Sequence, residues 1–304
     1  MNWIILALLG PIFWSIGNHI DKFLIEKYFK VNGTGILLIF SSLIGIVVAP
    51  LFFLIKPEVL EISYFNMGIV LVSGMLGAVV LWLYFKALED DEVSVVVPFM
   101  QLIPVFAYVL GYFILGETLT TVQILAMACI IFGASVLSFE IDEENKFRLR
   151  KKTILFMTTG ALISAFDSVI FKYVLLEENF WISTFWAYIG LSIFGLGIFL
   201  FSSKSRNGFI HAWKTNSKKI IGINFLNEFL TVIGNVSFTF AYLMAPVALV
   251  LLFNAYQPVF VLLIGIFLTL FFPKLGTEKI KVKHLLQKIF VIGIMLIGTY
   301  FLFI

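Results

Sequence analysis

The chain has 304 residues, 61% of them hydrophobic and only 13% charged, with a mean hydropathy of +1.05 and a formal net charge of +3. Soluble domains carry about 25% charged residues, and one core cannot hide this much apolar surface, so lipid is the solvent for most of the chain. The basic residues sit in short loops, which argues against nucleic acid, and the single cysteine, Cys129, excludes an intrachain disulfide or a cysteine-based metal site.

Ten apolar stretches reach the length of about 20 residues that a membrane-crossing helix needs. They cover 3–20, 34–55, 68–88, 93–115, 119–139, 153–176, 181–203, 219–243, 246–272 and 286–304. The first has neither a basic leader nor a small-residue cleavage site before it and is read as a retained helix. Helices are expected throughout because each closes its own backbone hydrogen bonds in hydrocarbon. The longest connections are 140–152, 204–218 and 273–285. Thr120 and Gln123 fit a capping box and predict a tight turn between spans four and five.

Of 21 Lys and Arg, 19 fall on one side of these spans, leaving only Lys56 and Lys172 on the other. By the positive-inside rule the 19 face the cytoplasm, so ten spans place both termini outside, in the cell (inner) membrane.

The chain also aligns with itself. At an offset of 150, Gly10 meets Gly160 and Lys22 meets Lys172. At 154, Ala87 meets Ala241, Val93 meets Val247, and Pro104-Val105-Phe106 meets Pro258-Val259-Phe260. Five spans is an odd number, so the second half is inverted relative to the first. The predicted fold is an all-α membrane protein of ten transmembrane helices in two inverted five-helix repeats (5+5). The first repeat covers 1–140, a basic linker 141–152, and the second repeat 153–304. Inverted repeats of this kind point to transport by alternating access.

Trp14-Ser15-Ile16-Gly17-Asn18 is followed by Lys22, and Ala87-Leu88, Val93-Ser94, Pro104-Val105-Phe106 and Leu115-Gly116-Glu117-Thr118-Leu119-Thr120 come in order after it. Gly133 lies in span five. This series resembles the EamA family of the drug/metabolite transporter superfamily. The resemblance implies a central cavity lined by the first four spans of each half, with spans five and ten packed outside. At offset 154 Glu117 aligns with Phe271, so Glu117 and Glu278 are not given symmetrical roles.

Only Asp167 and Glu228 of 18 acidic residues lie well inside a span. A charge at the bilayer centre costs about 2.5–3.5 kcal/mol on insertion scales, so both are expected to face protein or a water-filled cavity. Glu228 lies ~14 Å along its helix from Lys219, near the midplane. Asn224, Asn227, Glu228, Thr231 and Asn235 recur at helical spacing and form one polar face. That face either binds solute or a proton, or is a hydrogen-bonded seam between helices.

Asp167 either pairs with Lys172 or contacts substrate. Lys22 either binds an anionic group, pairs with an acid, or anchors its helix. Asn254 and Gln257 in span nine and Gln101 in span four are further polar candidates, and Trp82 and Tyr84 are candidates for stacking a solute. Pro98, Pro104 and Pro258 predict kinks in spans four and nine that would serve a gate. His19 is read as interfacial.

The functional expectation is a secondary transporter for a small polar or amphipathic metabolite, with proton-coupled export as one mode. The alternative is a flippase for lipid or a lipid-linked precursor. The sequence carries no convergent nucleophile, metal-ligand or phosphate-loop set, so no enzyme, metal or cofactor is expected. The expected partners are a small-molecule solute, protons and the bilayer, with the chain as a monomer or homodimer.

Overall fold

The computed structural model describes residues 2–28, 33–90, 97–138, 151–215, 217–272 and 282–302. Regular structure among them is entirely helical. In chain order the α-helices are α1 Asn2–Lys27, α2 Gly33–Leu43, α3 Gly45–Ile55, α4 Tyr64–Asp90, α5 Ile103–Leu115, α6 Thr121–Ser138 and α7 Lys151–Glu177. They continue as α8 Phe180–Phe201, α9 Ser203–Thr215, α10 Ser217–Tyr242, α11 Val247–Leu252, α12 Gln257–Phe271 and α13 Val282–Phe301.

Among the described residues, seven helical segments are long and apolar enough to cross a membrane, and three shorter apolar ones cover Phe99–Leu115, Thr121–Ser135 and Ile292–Phe301. The chain is an integral membrane protein.

Three of the expected spans carry a local irregularity within an otherwise helical run. The stretch 34–55 divides at Ile44, whose carbonyl accepts from the amides of both Val47 and Val48. The stretch 93–115 begins, in its described part, as a 3₁₀ turn over Val97–Leu102 before α5. The stretch 246–272 runs from α11 through a 3₁₀ turn at Phe253–Tyr256 into α12. Pro104 and Pro258 each stand in the first turn of the helix after the break. Proline has no N–H to give to the preceding turn, and that position tolerates the loss.

The loop expected over 204–218 is corrected by the structure: most of it is helix α9. Its polar composition masks a helical face on which Phe209 packs against Phe40 and Phe199, and Ala212 joins Leu24, Ile36, Leu37 and Ile220. The capping box forms as drawn from the sequence. Thr120 N donates to Gln123 Oε1 at 2.9 Å, and Gln123 N donates to Thr120 Oγ1 at 3.2 Å.

Long helices pair across the two halves. α1 packs along α10, and α4 packs along α7. α8 lies against α2, α3 and α4. Glycine makes that approach so close that a Cβ at Gly45 or Gly74 would collide with the backbone of α8, and one at Gly190 with the Leu71 carbonyl. Small residues let membrane helices meet backbone to backbone. α6 packs on α13, where the Tyr256 hydroxyl donates to the Met295 carbonyl at 2.9 Å and also contacts the Thr299 hydroxyl.

Candidate functional site

Two clusters built around carboxylates, Glu228 buried and Asp21 and Asp167 half-buried, sit between the paired helices. The first is built where α1 crosses α10. Asn227 and Glu228 are neighbours on α10 and are 3% and 6% exposed. One helical step turns them toward different partners. Asn227 Nδ2 donates to Asp21 Oδ1 on α1 at 2.7 Å. Glu228 Oε1 accepts from the Ser41 hydroxyl on α2 at 2.6 Å. Asp21 lies within electrostatic reach of Glu228 and of Tyr84 on α4, and Tyr188 on α8 lies within reach of Glu228.

The second cluster lies where α4 crosses α7. Ser73 on α4 donates to Asp167 Oδ1 at 2.5 Å. Tyr242 on α10 is within electrostatic reach of Asp167 and Glu117.

Lys172, one to two turns beyond Asp167, is held elsewhere. Its ammonium donates to Glu117 Oε1 at 2.5 Å and to the Ala245 carbonyl at 2.5 Å. Glu117 Oε2 accepts from the Val247 amide at 2.8 Å, at the start of α11. The Asp167–Lys172 contact offered by the sequence is therefore replaced by a Glu117–Lys172 ion pair. Gly116, at φ 67°, permits this by ending α5 in a left-handed turn that carries Glu117 back toward α7.

The remaining polar positions divide. Asn235 Oδ1 accepts from Trp14 Nε1 at 3.1 Å, and Thr231 donates to the Asn227 carbonyl at 3.0 Å. Asn224 Nδ2 donates to the Ile220 carbonyl at 2.9 Å. These three are part of helix structure or of the α1–α10 seam. Ser15 donates to the Gln257 carbonyl at 3.1 Å and His19 Nε2 donates to the Val261 carbonyl at 3.0 Å, so α1 also grips α12 beside Pro258.

Gln101 is buried, and Asn254 carries a buried amide oxygen without a partner. Trp82 is exposed and is not among the buried side chains. Lys22 lies on α1 and Pro98 in the 3₁₀ turn before α5, with side chains outside the described set.

Sequence reasoning missed Asp21, Ser41, Ser73 and Tyr188 as site residues. Asp21 stands one residue past the predicted end of span one, and α1 extends to Lys27. The serines and the tyrosine carry no periodic signal of their own.

The match to known proteins can now be placed on this geometry. Residues 1–139 match the model of the EamA-like transporter family, part of the drug/metabolite transporter superfamily.

This match covers somewhat less than half of the chain.

The EamA-like region carries Asp21, Ser41, Ser73, Tyr84 and Glu117, which are the first-half contributions to both clusters and to the ion pair. A relative over this part is the uncharacterized protein MJ1333.1 of Methanocaldococcus jannaschii, 27% identical over 135 residues, covering 44% of this chain and 95% of that protein. A solved crystal structure superposes on 98% of this chain and 94% of its own, with a TM-score of 0.72 and 15% identity, and so shares the fold. The first 139 residues are thus similar to membrane transporters of the drug/metabolite type.

Proposed function

We propose that this chain is a secondary active transporter that moves a small polar or amphipathic metabolite by alternating access, with proton-coupled export as its mode. In this reading ten spans form two inverted repeats, 1–140 and 153–304, joined by the basic linker 141–152. The basic loops face the cytoplasm and both termini face outside, in the cell (inner) membrane.

One observation carries the reading. Each mid-membrane carboxylate of the second half takes its hydrogen bond from a first-half serine: Ser41 to Glu228 and Ser73 to Asp167. A motion of one half against the other changes both contacts. A carboxylate that gains a proton becomes a donor and no longer needs the serine proton. Protonation and the relative position of the halves are therefore linked. Glu228 and Asp167 are assigned the proton and solute contacts. Asn227, Gln101, Asn254 and Tyr84 are assigned to the wall around them, and the breaks at Pro98, Pro104 and Pro258 to the gate.

The test is flux in proteoliposomes under an imposed pH gradient, with a dye reporting proton movement as solutes are added. Wild type should move protons only when its solute is present. Glu228→Gln should reconstitute equally well and lose the pH-driven component. Undiminished pH-driven flux in that variant removes the proton role.

A further inference from the structure

Helix α9 is polar where the helix before it is apolar. α8 is long and apolar enough to cross a membrane, and it ends on Leu200 and Phe201, which are 61% and 89% exposed. Apolar side chains exposed on a membrane-crossing helix face the hydrocarbon. At Ser202 the backbone leaves the helical region, and α9 starts at once with Ser203. The Ser202 hydroxyl donates to Ser205 Oγ at 2.9 Å across that corner. The change from lipid-facing to polar surface therefore falls within a few residues.

One side of α9 is held against the bundle. The helix packs on α2, α8 and α10. Ser205 and Ala212 are buried, Phe209 packs against Phe40 and Phe199, and a Cβ at Gly208 would meet the Ile36 side chain. Ile36 is near the start of α2, Phe199 near the end of α8, and Ile220, in one cluster with Ala212, near the start of α10. α9 thus lies across the ends of three spans, and these contacts fix which side it turns outward.

The outward side is basic. Lys204 and Lys214 are exposed and Arg206 is half-exposed. No Asp or Glu occurs between Glu178 and Glu228, and among the described residues none of these three cations makes an ion pair. Arg206 Nη1 donates to the Leu200 carbonyl at 3.1 Å, which holds the guanidinium beside the exposed apolar end of α8. Arg206, Ile210 and Trp213 recur at i, i+4 and i+7 along one edge of the face. Water solvates cations equally well, but it gives no reason for an exposed tryptophan beside them. A phosphate carried on an apolar body answers both, because it takes the N–H donors and offers hydrocarbon to the ring. The bilayer that covers Leu200 and Phe201 presents such groups next to α9.

We propose that the outward face of α9, with Lys204, Arg206, Trp213 and Lys214, is a docking surface for the headgroups of anionic phospholipids, which tie this end of the bundle to its leaflet. The inference rests on the placement of α9 and is independent of what the chain carries.

The experiment is thermal stabilisation of the full-length protein in neutral detergent and low-salt buffer by phosphatidylglycerol, with phosphatidylcholine and soluble glycerol phosphate as comparison probes. Phosphatidylglycerol should raise the melting temperature saturably, and the other two should not. High salt should weaken the effect, because it screens exposed charge. The half-saturating concentration should rise about fivefold in Lys204→Gln and again in Lys214→Gln, the factor expected for one cation lost near an anionic surface. Both side chains are exposed, so these variants keep the fold. Lys151→Gln/Lys152→Gln removes two exposed cations from the start of α7 and should leave the half-saturating concentration unchanged.

Equal stabilisation by phosphatidylcholine overturns the inference, since the charge would then do nothing. Equal stabilisation by glycerol phosphate overturns it in favour of a site for a free anion. Unaltered half-saturation in the two α9 variants, or the same loss in the α7 variant, overturns it in favour of a general response of basic loops to negative charge.

Discussion

Gly17 and Asp167, 150 residues apart, hold matching places in the two long helix pairs, and each faces the counterpart of the other's partner. Gly17 on α1 lies under the Asn227 side chain on α10, and Asp167 on α7 lies over Gly77 on α4. Asn227 and Gly77 are themselves 150 residues apart. The polar group thus sits on the second-half helix of both pairs, with glycine opposite it on the first-half helix. At Gly17 the missing Cβ makes room for the Asn227 side chain, whereas a Cβ at Gly77 would meet Asp167 Oδ2 at an ordinary contact distance of 3.7 Å.

Gly17→Ala should disturb the first cluster without touching either carboxylate. The new Cβ would stand 2.7 Å from Asn227 Oδ1, so the amide must turn and release Asp21. The expected loss is about 1 kcal/mol of stability from the hydrogen bond, with altered solute affinity. Chemical or thermal unfolding of the variant in detergent, beside a solute titration, checks it. Unchanged affinity would mean that the Asn227–Asp21 bond does not shape the site.

Glu117→Gln should be strongly destabilising. Lys172 is buried, and removing the carboxylate charge leaves its ammonium facing only neutral acceptors, the new amide oxygen and the Ala245 carbonyl, among the described groups that it bonds. Breaking a buried pair costs about 3–5 kcal/mol. The double variant Glu117→Gln/Lys172→Met should recover much of that loss, because no uncompensated charge remains. A double-mutant cycle on melting temperature measures the coupling, and strict additivity would contradict the contact.

Gly74→Ala should damage the fold far more than Gly68→Ala, although both lie on α4. A Cβ at position 74 runs into the Ala187 carbonyl of α8, while position 68 is open. Overpacking of this kind costs about 1–3 kcal/mol or more. Yield of monodisperse protein and its melting temperature report the difference.

Trp213 on α9 should lie at membrane-interface depth. It is 47% exposed, on a helix whose other face packs against α2 and α8 and whose sequence carries Lys204, Arg206 and Lys214. Aromatic side chains on basic amphipathic helices settle at the headgroup boundary. With the other tryptophans replaced by phenylalanine, Trp213 fluorescence should be quenched more by bromine near the headgroups than near the bilayer centre. Equal quenching at both depths would place α9 elsewhere.

The sequence by itself determined the class of the protein. Apolar length, sparse charge and the one-sided placement of Lys and Arg are local properties, and lipid reads them residue by residue. It also singled out Glu228 and Asp167, because a carboxylate inside a long apolar run is conspicuous. It pointed to Pro104 and Pro258, because proline disturbs a helix wherever it falls.

Tertiary structure alone decided the partners. Asp21 meets Asn227 across 206 residues, and Lys172 takes Glu117 rather than the acid on its own helix. It also decided that α9 is a helix, since its apolar face is defined by Phe40 and Ile36 rather than by its own composition. Which donor reaches a carboxylate depends on how far each helix is rotated and how closely two backbones approach. Those two quantities are fixed by contacts between distant segments, at glycines such as Gly17, Gly45 and Gly74, and no local pattern of residues encodes them.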